Sequence, residues 1–309
     1  MQSENKVMKN FSMWISAFLL LIGTFSSCDK TNKESVAVPA LPQSSYQINA
    51  PDKVWSLSSK LLEISGLAYD TTKKELIAIN DEKGILFSLD TNKGEILSTQ
   101  VFSKKGDYEG IEMVGDIIYV VESDGTLHEI TDGAKSKKLS NKLKSSNDVE
   151  GLGYDATNAI LLLACKGKPS INSEQKLKKT KVVYGYDVVN KEFKEDPVII
   201  IADSTLLQFF DAQLSSNIDN SRSADYKKRL KSFAPSAIAY NKNDNSYYIL
   251  SSVGKTMVVL DQENNIKSID FLDNKLHRQP EGMVFDEDHN LYISNEGKFG
   301  VAKIFKYNF

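Results

Sequence analysis

The chain has 309 residues, of which 41% are hydrophobic and 26% charged, with a formal net charge of −3. A balance this close to neutral argues against nucleic acid as a partner. With only two cysteines, stability has to come from a hydrophobic core and not from a disulfide framework.

The first segment reads as an address. Lys6 and Lys9 precede an apolar run from Met13 to Ile22, followed by Phe25-Ser26-Ser27-Cys28, and together they resemble a bacterial lipoprotein signal peptide. The run is shorter than the roughly 20 apolar residues a spanning helix needs, which makes a retained transmembrane anchor the weaker alternative. Residues 1–28 are therefore expected to be a leader ending in a lipidated Cys28. That places the protein at the bacterial cell envelope, on the membrane through its lipid. Residues 29–50, rich in Ser, Lys, Pro and Asn without periodicity, read as a flexible tether. Lipid on Cys28 would leave Cys165 as the remaining thiol, at the end of the apolar run Leu161–Ala164, where a small buried hydrophobe is the expected role.

Residues 51–309 carry a repeated unit. Its copies are EISGLAYDTTKKELIAINDEKGILFSLD from Glu63, DYEGIEMVGDIIYVVESDGTLHEI from Asp107, DVEGLGYDATNAILLLACKG from Asp148, APSAIAYNKNDNSYYILSSVGKTMVVLD from Ala234 and QPEGMVFDEDHNLYISNEGKFGVAKIFKY from Gln279. The heads Gly66, Gly110, Gly151, Ala237 and Gly282 are spaced by 44, 41, 86 and 45 residues. A period in the forties with several strands per repeat predicts propeller blades. Runs such as LIAI, IIYVV and LYIS have the β-branched and aromatic content of strands and end in Asp, Asn, Gly or Lys turns. The long step is read as one blade with two insertions, Lys166–Lys181 and the partly helical Ser204–Ser232, giving five blades; six is the alternative. Val54–Ser58 precedes the first head, and the last copy lacks an outer strand, so the two ends are expected to complete one blade and close the ring.

At this point the phrases SGLAYD, YEGIE, VEGLGYD and PEGMVFD, with the strand endings AINDEKG, VVESDG and ISNEGK, resemble the SdiA-regulated (YjiK-type) family of bacterial envelope β-propellers. The resemblance implies a calcium-associated envelope propeller. The Glu-Gly heads are also similar to those of calcium-dependent lactonases and gluconolactonases, in which such glutamates bind a metal in the central channel.

The residues support a metal on their own terms. In a propeller the first strand of each blade lines the axis, so Ser65, Glu109, Glu150, Ser236 and Glu281 should ring one mouth. Two carboxylates about 4 Å apart repel by about 4 kcal/mol at an effective dielectric near 20, so the set must spread, take up protons or bind a cation. Calcium accepts such oxygen donors, magnesium fits them too, and three unpaired histidines make zinc a poor candidate. The alternative is that the Glu-Gly pairs are turn chemistry with solvated carboxylates. Asn80, Asp81, Glu122, Ser251, Asn295 and Glu296, which end second strands, are expected to form an outer shell of the channel. The acidic run Asp286–Asn290 matches turns at the same place in other copies and is left out. The insertions are expected near the mouth, as a lid, a docking surface for a protein, or plain solvated loops. Their Lys166, Lys168, Lys178, Lys179 and Lys181 could draw a small anionic ligand.

Two functional classes follow. The first, favoured, is a calcium-binding module for sensing, scaffolding or ion handling. The second is a calcium-dependent hydrolase of lactonase or phosphatase type, with His277 as the one histidine near the mouth. No nucleophile elbow or phosphate loop occurs in the sequence.

Overall fold

The computed structural model describes residues 43–131, 136–214, 220–298 and 300–309. The leader, Cys28 and most of the tether lie outside these residues. None of the described helices is long and apolar enough to cross a membrane.

Strand β1 (Lys53–Ser56) comes first and belongs to the last blade. Blade one is β2 (Ile64–Asp70), β3 (Glu75–Asn80), β4 (Ile85–Asp90) and β5 (Ile96–Val101). Blade two is β6 (Tyr108–Val114), β7 (Ile117–Glu122), β8 (Leu127–Ile130) and β9 (Lys137–Leu139). Blade three is β10 (Val149–Asp155), β11 (Ile160–Cys165), β12 (Thr180–Asp187) and β13 (Glu192–Ala202), followed by helices α1 (Asp203–Leu214) and α2 (Asn220–Lys231). Blade four is β14 (Ala237–Asn241), β15 (Ser246–Ser251), β16 (Thr256–Leu260) and β17 (Ile266–Phe271). Blade five is β18 (Pro280–Phe285), β19 (Leu291–Asn295), β20 (Lys303–Tyr307) and β1.

The protein is thus a five-bladed β-propeller of antiparallel sheets, and the six-bladed alternative falls. The ring closes as the sequence predicts, with Val54 opposite Phe305 and Trp55 opposite Ile304. Trp55 stacks on Tyr292 at 5.9 Å, and its indole N–H donates to Asn92 O at 2.7 Å. One apolar end of the side chain is buried and its polar edge is satisfied.

The inner strands β2, β6, β10, β14 and β18 pack one on the next around the axis, β18 returning to β2. The head glycines permit that approach. A Cβ on Gly110 would stand 2.7 Å from Leu152 N, and one on Gly66 would stand 2.9 Å from Ile111 N. Gly110→Ala should therefore force blades two and three apart and cost about 1–3 kcal/mol, read as a lower midpoint in thermal melting.

The first turns of blades one, three and five fit the local chemistry of Asp. Asp70 Oδ1 accepts from the N–H groups of Thr72 and Lys73, Asp155 Oδ1 from Thr157 and Asn158, and Asp286 Oδ1 from Asp288 and Asn290. Asp286 is spent on a turn, as expected.

Two boundaries differ from the sequence reading. The end of the tether packs: Tyr46 and Ile48 are buried among Tyr248, Met283 and Phe305. The Tyr46 hydroxyl donates to His289 O at 2.6 Å. Two isolated apolar residues in a polar stretch carry no periodicity, so composition alone misses them. The helices also sit elsewhere than over the channel. α1 packs on β13 and β17, the outermost strands of blades three and four. Leu206, Phe210, Leu230 and Phe233 fill the wedge between those blades.

Candidate functional site at the channel mouth

Four of the five heads carry a break in the inner ladder, blade four being the exception. The register shifts between Ile64 and Gly66, Tyr108 and Gly110, Val149 and Gly151, and Pro280 and Met283. The extra residue of such a bulge leaves the ladder and is re-aimed. Here that residue is Ser65, Glu109, Glu150 or Glu281, and four of the five head positions reach the axis. Glu109, Glu150, Ser236 and Glu281 line one axial cavity of about 10 Å³, which is room for about a single water-sized guest. Ser65 is buried and bonds away: its hydroxyl donates to Tyr108 O at 2.7 Å. Ser236 likewise donates to Pro280 O at 3.1 Å. Both serines clip one blade to the carbonyl just before the next blade's glutamate.

The carboxylates stand in an acidic, poorly solvated setting. Burial, then Glu150, Asp107 and Glu281, pushes Glu109 up to about 9. Burial, then Glu150 and Glu296, pushes Glu281 up to about 8. Burial also raises Glu150, against the pull of Lys166, whose ammonium forms an ion pair with it. Ser252 Oγ donates to Glu281 Oε1 at 3.1 Å. The Glu109 carboxylate has no hydrogen bond or ion pair among the described residues. Asp81 and Glu296, each raised to about 6 chiefly by burial, complete the acidic mouth.

Of the expected outer shell, Asp81 acts on Glu109 and Glu296 on Glu281, and the other four turn elsewhere. Asn80 Oδ1 accepts from Lys83 N in a turn, and Ser251 Oγ accepts from Ala234 N and Gly254 N. Asn295 is buried with its amide unpaired, off the axial cavity. Glu122 is turned away to His128 at 2.7 Å and Lys138 at 3.4 Å. The next residue along meets the mouth instead: Asp81, Lys166, Ser252 and Glu296. Their position is set by backbone bonds from Asp81 N to Glu63 O, Lys166 N to Asp148 O and Glu296 N to Gln279 O. Strand side chains alternate, so a one-residue offset exchanges inside for outside. Ser252, Asp107 and the axial role of Lys166 were missed. The recurring Asp-x-Glu-Gly of Asp107–Gly110 and Asp148–Gly151 was the available signal for Asp107. Glu112, raised by burial to about 8, is a further half-buried carboxyl on β6 that has no counterpart in the sequence reading. His277 is no mouth residue: it is fully buried, its Nε2 2.9 Å from both Ile48 O and Tyr307 Oη.

A family model described as SdiA-regulated matches residues 40–299. The chain belongs to the SdiA-regulated family. No curated protein matches this SdiA-regulated chain in sequence. Among solved structures it is similar to a glutaminyl cyclase from Myxococcus xanthus, at 8% identity and TM-score 0.53 over 84% of this chain and 95% of that one. A gluconolactonase from Xanthomonas campestris is similar at 8% identity and TM-score 0.47, over 79% and 72%. At such identities the likeness is one of fold.

The donor set decides what guest the SdiA-regulated site could hold. Among the described residues no three His, Cys, Asp or Glu side chains stand together as a closed ligand set; Lys166 pairs with Glu150, and Ser252 donates to Glu281. The polar side chains that line the cavity, Glu109, Glu150, Ser236 and Glu281, nonetheless offer only oxygens, set among Leu67, Ile111, Leu152 and Met283 around a space of single-ion size. That suits a hard cation, which would be held by Glu109, Glu150 and Glu281 with backbone carbonyls or water.

Proposed function

We propose that this protein is a calcium-binding propeller lipoprotein, anchored at the bacterial envelope through Cys28, in which Glu109, Glu150 and Glu281 hold one ion at the channel mouth. The observation that supports this most is that three blades deliver carboxylates to one cavity of about 10 Å³. There each is held above the usual carboxylate range by burial and by its neighbours. A divalent ion relieves both effects at once. A cation held there would favour the ionised forms of Glu109 and Glu281 and would compete with Lys166 for the Glu150 carboxylate. The ion itself supplies a fixed positive charge at the mouth.

A binding or sensing role fits better than hydrolysis. His128 and His277 are committed to Glu122 and to buried backbone and tyrosine oxygens, so any proton transfer would fall to carboxylates. Calcium titrated against the purified protein at pH 7 should raise its melting midpoint by several degrees, following the mass-action dependence on free ion. Magnesium should do so more weakly, since it demands a smaller, more regular oxygen shell. No shift with either ion would refute the reading, and turnover of a lactone or phosphate ester that needs calcium would favour the hydrolase.

A further inference from the structure

Beside the axial cavity, between blades three and four, lies an open cleft of about 880 Å³. Lys166, Lys168, Lys179, Lys181 and Lys231 line it, against Asp148 and Asp203. A concave surface with five lysines stands out in a chain whose net charge is −3, and clefts concentrate a field of one sign. Four of the five come from the first insertion and its edges; Lys178, in the same run, is exposed and lies off the cleft. Lys231 arrives from the last turn of α2. The two insertions thus meet at a charged surface, not as a lid over the axis.

Lys166 belongs to both places. It lines the cleft, and its ammonium pairs with Glu150 of the axial cavity. Lys181 holds it there by donating from Nζ to Lys166 O at 2.8 Å. Burial pulls Lys181 below the usual lysine range, against Asp203 and Asp148, while Lys166 keeps Glu150 as its anion.

We infer that the cleft between blades three and four binds a small ligand bearing an oxyanion, phosphoryl or carboxylate, and that the Glu150–Lys166 pair sets its affinity. While Glu150 holds the ammonium, the cleft works with the other four lysines. Releasing it adds one cation to the wall. A positive ion taken up by Glu150 would act in the same direction, but the cleft needs no such ion.

Calorimetric titration of the full-length protein at pH 7 and low salt, with methyl phosphate and with succinate as probes, tests this. Binding of methyl phosphate alone marks a phosphoryl ligand; binding of succinate alone marks a dicarboxylate. Losing one ion pair of about 1 kcal/mol changes affinity about fivefold, so Glu150→Gln should tighten the bound probe by that factor and Lys166→Met should loosen it. A gain in Glu150→Gln cannot come from misfolding. Lys168→Glu with Lys179→Glu, both exposed, should abolish binding while leaving the melting curve in place. The cleft reading is overturned if neither probe binds or if the charge reversal leaves affinity unchanged. An unchanged affinity in Glu150→Gln overturns the role of the pair.

Discussion

Removing Val54–Ser58 will collapse the cooperative melting of the whole propeller, not just of blade five. Those residues supply the fourth strand of the last sheet through the pairing of Val54 with Phe305 and Trp55 with Ile304. They also place Trp55 and Leu57 in the core with Leu61, Leu67 and Tyr292. An open ring exposes the face of blade five and the edge of β20, and each blade depends on its neighbours to bury its faces. A milder variant makes the same point. Trp55→Ala removes a side chain that is 6% exposed, and truncating a buried Trp costs about 3–5 kcal/mol. At about 2–4 °C per kcal/mol for a domain of this size, the midpoint should fall by roughly 10 °C. Val54→Ala on the outward face of the same strand, 48% exposed, should change it little. Equal effects of the two substitutions would show that strand pairing, not the buried indole, carries the closure.

The second large effect is on the pH dependence of stability. Glu109 and Glu281 have folded-state values near 9 and 8, above the ordinary 4.5, so folding takes up protons at these sites. Their stabilising contribution is full below about pH 4.5 and is lost as pH rises through 8 to 9. His277 acts from the other side. Burial lowers it to about 4, so its contribution is present above about pH 6.5 and is lost as pH falls through 4. Calcium-free protein should therefore be most stable in mildly acidic solution and lose several degrees of midpoint between pH 6 and 9.

Saturating calcium should remove the alkaline loss, because the ion takes the place of the protons. Glu109→Gln should do so partly without calcium. Each pKa unit is worth about 1.4 kcal/mol, and with allowance for relaxation of a partly solvated site the gain at pH 8 should be about 2 kcal/mol. The same variant should blunt the response to calcium. A midpoint that is flat from pH 6 to 9 in chelator would mean the carboxylates are better hydrated than their packing indicates.

What the sequence shows by itself is whatever repeats or acts locally. The heads Gly66, Gly110, Gly151 and Gly282 mark four of the blades because a Cβ there would crowd the next inner strand, and Ala237 shows that at blade four the smallest side chain fits. The Asp70, Asp155 and Asp286 turns follow from a carboxylate reaching amides two or more residues ahead. The glutamates before three of the heads announce a shared mouth as soon as a ring is granted, and β1 is identified by the gap it has to fill.

What needed the tertiary structure are relations between segments far apart in the chain and side chains whose direction depends on a single residue of register. The bulges turn Glu109 to the axis, while the offset after each second strand brings Asp81, Lys166 and Ser252 to the mouth and turns Glu122 toward His128. Alternation along a strand is legible in sequence, but its phase is fixed by the partner strand. The pairing of Lys166 with Glu150 gives a lysine from an insertion an axial carboxylate as its partner. Tyr46 and His277 are buried because blades four and five leave room for them. None of these has a local signature, since each is decided by which surfaces the closed ring brings into contact.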